Sequence, residues 1–185
     1  KNNRPSFAHP EQQEAALWLT DGTVNTQRSG KAPYSGGVTE QGDLLSFQLD
    51  SDTPELNAVV VEGGTTVMLE PEISLTGCGC SDFTCKGAAV LAESGAKVDI
   101  RNGKIVTHGS TRAATIATTG ATLKVFDSEL ATYGGPLPEG YVPVIGPGMM
   151  EPPAPLGLGG NCRTHLSMDN SESYFYRCKI YGEAW

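Results

Sequence analysis

Apolar residues along this chain recur at every second position, in short stretches that pivot on glycine. Four copies of one pattern stand out: AALWLTDGTV at 15 to 24, NAVVVEGGTTV at 57 to 67, AAVLAESGAKV at 88 to 98 and AATIATTGATL at 113 to 123. Their pivots are Gly22, Gly64, Gly95 and Gly120. After the pivot come Val67-Met68-Leu69, Val98-Asp99-Ile100 and Leu123-Lys124-Val125. Alternation puts the first and third residue of each triplet on one buried strand face. A closing block follows as ISLTG at 73 to 77, IVTHG at 105 to 109 and LATYG at 130 to 134, and a weaker fifth copy runs from Ser171 to Ile180. Gly95 and Gly120 lie 25 residues apart while the other pivots are 42 and 31 apart, so the unit is about 25 residues and the remainder is insertion.

A period of two, an abundance of Val, Ile and Thr, and a glycine inside every unit exclude helices, save one short segment around Pro10 to Ala16. An antiparallel sandwich has no need of register-matched copies of one motif, whereas stacked parallel rungs do. The expected fold is all-β, a right-handed parallel β-helix (solenoid) of about five rungs with long loops on one side. Residues 1–14 form an extension, and residues 15–185 form the β-helix with insertions at about 25–56, 78–86 and 135–161. The pattern resembles the pectin-lyase-like superfamily and surface adhesin solenoids, closely over 15 to 134 and loosely over 164 to 185. Aligning the pivots predicts four core columns: Val60, Leu91 and Ile116; Val67, Val98 and Leu123; Leu69, Ile100 and Val125; and Ile73, Ile105 and Leu130.

Composition narrows the partners. The chain has 185 residues and a formal net charge of -8 with no basic cluster, so it lacks the electrostatic footprint of a nucleic-acid binder. No apolar run approaches the roughly 18 residues that span a bilayer, and a membrane span is not expected. The sequence opens at Lys1 without a leader-like segment, so a signal peptide is read as absent or already removed. Low charge and frequent Thr, Gly and Asn point to a secreted or cell-surface protein. The weak last rung ends near Trp185 without a polar cap, so a further part of the chain, a second copy or a second chain is expected to complete the solenoid.

The insertions leave from one corner, just after each closing glycine. Gly77 is followed by CGCSDFTCK, Gly109 by only three residues, and Gly134 opens a stretch to Asn161 that holds eight Gly and seven Pro, so long, short and long insertions make a notch. The last insertion reads either as a linker or as an ordered loop whose Tyr141, Met149 and Met150 line the notch. Three of the five cysteines, Cys78, Cys80 and Cys85, lie together. A local disulfide of Cys85 with Cys78 or Cys80, free thiols, and a zinc site with a fourth ligand from elsewhere are the alternatives, although the spacing is not a standard zinc pattern. Cys162 and Cys178 bracket the return of the long insertion, where a bridge would anchor it in an oxidising compartment.

At the rim of the notch, Thr76, His108 and Tyr133 fall in one outward column. An imidazole beside a phenol offers a proton acceptor and a proton donor, so His108 is the candidate general base and Tyr133 the candidate general acid. Lys104 and Arg112 would add positive charge beside them, and His165 would return to the same edge. No nucleotide-binding or metalloprotease fingerprint occurs, so no cofactor and no metal are expected. Two functions follow. One is a cofactor-free isomerase or lyase acting on a small organic substrate; the other is a noncatalytic adhesin or carbohydrate-binding solenoid.

Overall fold

The computed structural model describes residues 13–79, 85–110, 112–135 and 162–183. The chain opens with β1 (Ala15–Thr20), β2 (Thr23–Val24), β3 (Ser35–Val38) and the long β4 (Leu44–Ser51). Four turns of three strands follow. They are β5 (Asn57–Glu62), β6 (Thr65–Leu69) and β7 (Glu72–Thr76); β8 (Ala88–Glu93), β9 (Lys97–Arg101) and β10 (Lys104–His108); β11 (Ala113–Ala117), β12 (Thr122–Phe126) and β13 (Glu129–Tyr133); and β14 (Arg163–Ser167), β15 (Glu172–Tyr176) and β16 (Lys179–Gly182).

The first strand of every turn joins a six-stranded sheet, β14-β11-β8-β5-β1-β2. The second and third strands form the two arms of one curled ten-stranded sheet, β15-β12-β9-β6-β4-β7-β10-β13-β16, with β3 against β4. Strands of successive turns pair in parallel, while β2 and β3 lie antiparallel along β1 and β4. The architecture is all-β and solenoid-like. Among the described residues there is no helix, and so none long and apolar enough to cross a membrane. The expected short helix is replaced by strand at Ala15 and Ala16, which begin β1; Pro10 to Gln12 lie outside the described residues.

The stretch at 25–56 is not only an insertion. Leu44 and Leu45 pair with β6, Gln48 to Ser51 pair with β7, and Ser46 takes the left-handed backbone (φ 48) at the bend between them. β4 therefore joins the two arms, and its Leu44, Phe47 and Leu49 are buried in the core. In the later turns the same bend is one left-handed residue per turn, Glu70, Asn102, Asp127 and Arg177, each with φ between 50 and 53. Asn and Asp visit that conformation most readily among non-glycine residues, which accounts for two of the four.

Two predicted columns are displaced by one residue. Glu62 is level with Glu93, but Thr65 is level with Lys97, because the β5–β7 turn, second in the chain after the opening β1–β4, spends two residues at its corner where the β8–β10 turn, the third, spends three. The core columns are therefore Thr66, Val98, Leu123 and Ser173, then Met68, Ile100, Val125 and Phe175. Val67 is half-buried and Leu69 exposed. The column of Ile73, Ile105 and Leu130 stands as expected and extends to Leu49 and Ile180. Val60, Leu91 and Ile116 are also in register and join Trp18 and Leu166. That column belongs to a second buried cluster with Ala15, Cys85, Ala88 and Ala113, separate from the main core.

Candidate functional site

The second arm of the curled sheet, β4 to β7, β10, β13 and β16, buries alternate residues and presents the others outwards. Strand pairing puts Thr76, His108 and Tyr133 level with one another. At parallel strand spacing of about 4.8 Å, flat side chains on adjacent turns can stack. His108 and Tyr133 do: their centroids are 4.3 Å apart and their planes 7° from parallel. Tyr133 also meets Tyr181, with centroids 5.2 Å apart and planes tilted by 43°. His108 and Tyr181 are exposed and Tyr133 half-buried, so the three rings make an exposed aromatic platform. No hydrogen bond joins the imidazole to the phenol; ring faces, not polar atoms, meet.

Lys104 begins β10, level with Glu72 and Glu129, on the same outward face two residues before Val106. Arg112 departs from its expected place. It is fully buried, and its five N–H donors go to backbone carbonyls: Nε to Gly77 (2.8 Å), Nη1 to Leu56 (2.9 Å) and Gly87 (3.1 Å), and Nη2 to Thr53 (2.7 Å) and Thr76 (2.9 Å). Burial pulls its pKa down to about 10, with Cys78 opposing, so it remains a cation at neutral pH. This guanidinium ties the chain crossings of three turns together and has no donor left for a ligand.

His165 likewise points away from the rim. It is level with Thr115 on β14, accepts from or donates to the Thr115 hydroxyl at 2.9 Å through Nδ1, and meets the edge of Phe175 at 5.0 Å. Burial pushes its pKa down to about 4, against the Thr115 contact, so this half-buried imidazole is neutral near pH 7. Tyr141, Met149 and Met150 lie outside the described residues, as does Cys80.

Cys78, Cys85, Cys162 and Cys178 are free thiols, one of the alternatives for the first two, and no bridge joins Cys162 to Cys178. Cys85 is sealed among the second cluster, where burial first and then the charges of Glu93 and Asp169 push its pKa up to about 12. A thiol so protonated is neither nucleophile nor metal ligand. Cys162 precedes the six-stranded sheet, with Sγ near the Thr132 carbonyl (3.9 Å), whereas Cys178 sits at the bend between the arms, near the Val125 carbonyl (3.4 Å). Different corners of the turn keep the two apart. Among the described residues no three of His, Cys, Asp and Glu converge to hold a metal ion.

No family model, curated protein or solved structure matches the chain. The platform therefore has to be read from its own chemistry. Sequence reasoning found its first two rings but missed Tyr181, which stands in the column of Val106 and Ala131 and leans across to Tyr133. A second aromatic column lies on the first arm, where Phe126 stacks on Tyr176 at 4.9 Å and the Arg101 guanidinium covers Phe126 at 4.8 Å. The signal for it was present, since Leu69, Arg101, Phe126 and Tyr176 are level with one another. The one-residue displacement of the second turn hid only the place of Leu69 in it.

Proposed function

We propose that this chain is part of a right-handed parallel β-helix of the pectin-lyase-like kind, secreted or displayed at the cell surface, and that its second-arm face binds carbohydrate without transforming it. The observation that carries this reading is the platform of His108, Tyr133 and Tyr181. Rings held by strand register present a rigid apolar surface on which the C–H face of a sugar packs, and rigid aromatic anchors lose little entropy on binding. Thr76 and the imidazole supply hydrogen bonds beside it. Adjacency also favours a second reading, the cofactor-free isomerase or lyase with His108 as base and Tyr133 as acid. That reading rests on adjacency alone, because the rings meet face to face and no hydrogen bond between them orients the imidazole as a base.

Calorimetric titration of the protein with neutral and charged oligosaccharides tests the proposal. A sugar ligand should lose at least about tenfold in affinity, equivalent to about 1.4 kcal/mol, when Tyr133→Ala and Tyr181→Ala are combined. Unchanged binding in that variant overturns the carbohydrate reading. Turnover of a small organic substrate that disappears in His108→Gln, with folding intact, would put the catalytic reading in its place.

A further inference from the structure

At the opposite end of the same face, beside the platform's far neighbours, lies an open groove of about 490 Å³. Tyr34, Ser35, Gln48, Asp50, Glu72 and Ser74 line it, and among the described residues no Lys, Arg or His does. Tyr34 rests on the buried ring of Phe47, with centroids 4.9 Å apart, so the ring is held in place while 37% of the residue stays exposed. Gln48 is level with Glu72, and Asp50 with Ser74. The two carboxylates therefore stand diagonally on neighbouring strands of one face, their Cα atoms about 7–8 Å apart. Neither is paired with a cation among the described residues; Lys104, level with Glu72 on the next turn, makes no ion pair with it. The Ser35 hydroxyl meets the Gln48 side-chain oxygen at 3.5 Å, which leaves the Gln48 amide N–H groups to face a ligand.

A fixed aromatic face, two unpaired carboxylates and neutral hydrogen-bonding groups, with no cation among the described residues, select a particular kind of sugar. Uronic or sulfated glycans meet like charge here. A ring bearing an ammonium group gains both from the carboxylates and from the negative face of the tyrosine. We propose that this groove binds an amino sugar with a free amine, a glucosamine-type unit of a glycan, with its ring on Tyr34 and its ammonium group between Asp50 and Glu72. The inference rests on the carbohydrate reading and deepens it. Asp50 and Tyr181 share one column, four strand spacings apart. A glycan lying along the stack would thus cover groove and platform together, about 19 Å at 4.8 Å per strand.

The test is titration with a glucosamine tetramer, a glucose tetramer of the same linkage and a galacturonate tetramer, against wild type, Asp50→Asn/Glu72→Gln, Tyr34→Ala and Tyr133→Ala/Tyr181→Ala. The substituted side chains are exposed or, for Tyr133, half-buried, and circular dichroism verifies that each variant folds. The glucosamine tetramer should bind at least about tenfold tighter than the other two, weaken with salt, and lose that advantage in Asp50→Asn/Glu72→Gln. Equal affinity for glucosamine and glucose tetramers, or an unaltered preference in the carboxylate variant, overturns the assignment. If glucosamine binding survives both groove variants and vanishes only with Tyr133→Ala/Tyr181→Ala, the groove fails and the carbohydrate reading stands. If no tetramer binds, both fail.

Discussion

The two sheets are wound from the same turns, yet they bury their strands differently. In the six-stranded sheet β5 reads NAVVVE and β8 AAVLAE, and nearly every residue of both is buried. In the arms β9 reads KVDIR and β10 KIVTH, and burial alternates. The difference is one of cover. The six-stranded sheet has the main core on one side and the cluster of Trp18, Val60, Leu91 and Ile116 on the other. The Arg28 guanidinium closes over Trp18 at 3.2 Å and Cys85 packs into the same cluster. Parallel strands covered on both faces need near-continuous apolar runs, whereas a strand with one wet face has alternate positions free for rings and charges. Platform and groove accordingly lie on an arm.

The sharpest way to break this arrangement is at the corner where the sheets meet. Arg112→Ala would leave five carbonyls in a buried space without their donor. Loss of a buried, fully bonded charged group costs about 3–5 kcal/mol, and Arg112→Lys should rescue little, because an ammonium cannot reach all five. Urea denaturation measures it; a loss below about 1 kcal/mol would mean the carbonyls find water. The comparison itself is tested by Leu91→Ala against Leu69→Ala. Leu91, buried on the far side of the six-stranded sheet, should cost about 2–5 kcal/mol, and the exposed Leu69 of the first arm less than about 0.5 kcal/mol. Similar losses at both would remove the distinction between the sheets.

Much of this was legible in the sequence because two-residue periodicity and glycine spacing are local signals. The copies at 88 to 98 and 113 to 123, 25 residues apart, gave the right register at once, and with it the adjacency of His108 and Tyr133. What failed depended on contacts distant along the chain. Arg112 reads as a surface cation until the carbonyls of Thr53 and Leu56 are placed around it. His165 looks like a loop residue until Thr115 and Phe175 enclose it. β4 was hidden inside apparent insertion because its neighbours in space, β6 and β7, come later in the chain, and the groove it lines was hidden with it.

A buried carboxyl and a half-buried imidazole add a pH test that again separates the sheet's sides. Glu93 lies level with Glu62; burial first and the Glu62 charge second push its carboxyl up to about 7 from 4.5, with Arg28 opposing. Its stabilising contribution is complete below pH 4.5 and is lost as pH rises through 7. His165, lowered from 6.5 to about 4, behaves in the opposite way: its contribution is complete above pH 6.5 and is lost as pH falls through 4. Between pH 4.5 and 6.5 the two slopes oppose one another. Glu93→Gln should therefore expose a loss on the order of 2 kcal/mol as pH falls from 6.5 to 4, and His165→Phe a gain of similar size as pH falls from 7 to 4.5. Flat profiles in both variants would show that these groups are solvated.

The smallest effect decides the register of the second turn. With Thr65 level with Lys97, Thr66 occupies the core column of Val98 and Leu123, fully buried, and its hydroxyl has no partner. Val67 stands outside beside Asp99 and is half-buried. Thr66→Val removes an unsatisfied buried hydroxyl without changing shape and should stabilise the protein by about 1 kcal/mol, while Val67→Thr should change stability by less than about 0.5 kcal/mol. Had Gly64 stood level with Gly95, Val67 would be the core residue, Thr66→Val would be neutral and Val67→Thr would cost about 1–2 kcal/mol. The two registers thus predict different signs and sizes from one pair of substitutions. Shifts of the urea midpoint at constant m-value read them directly.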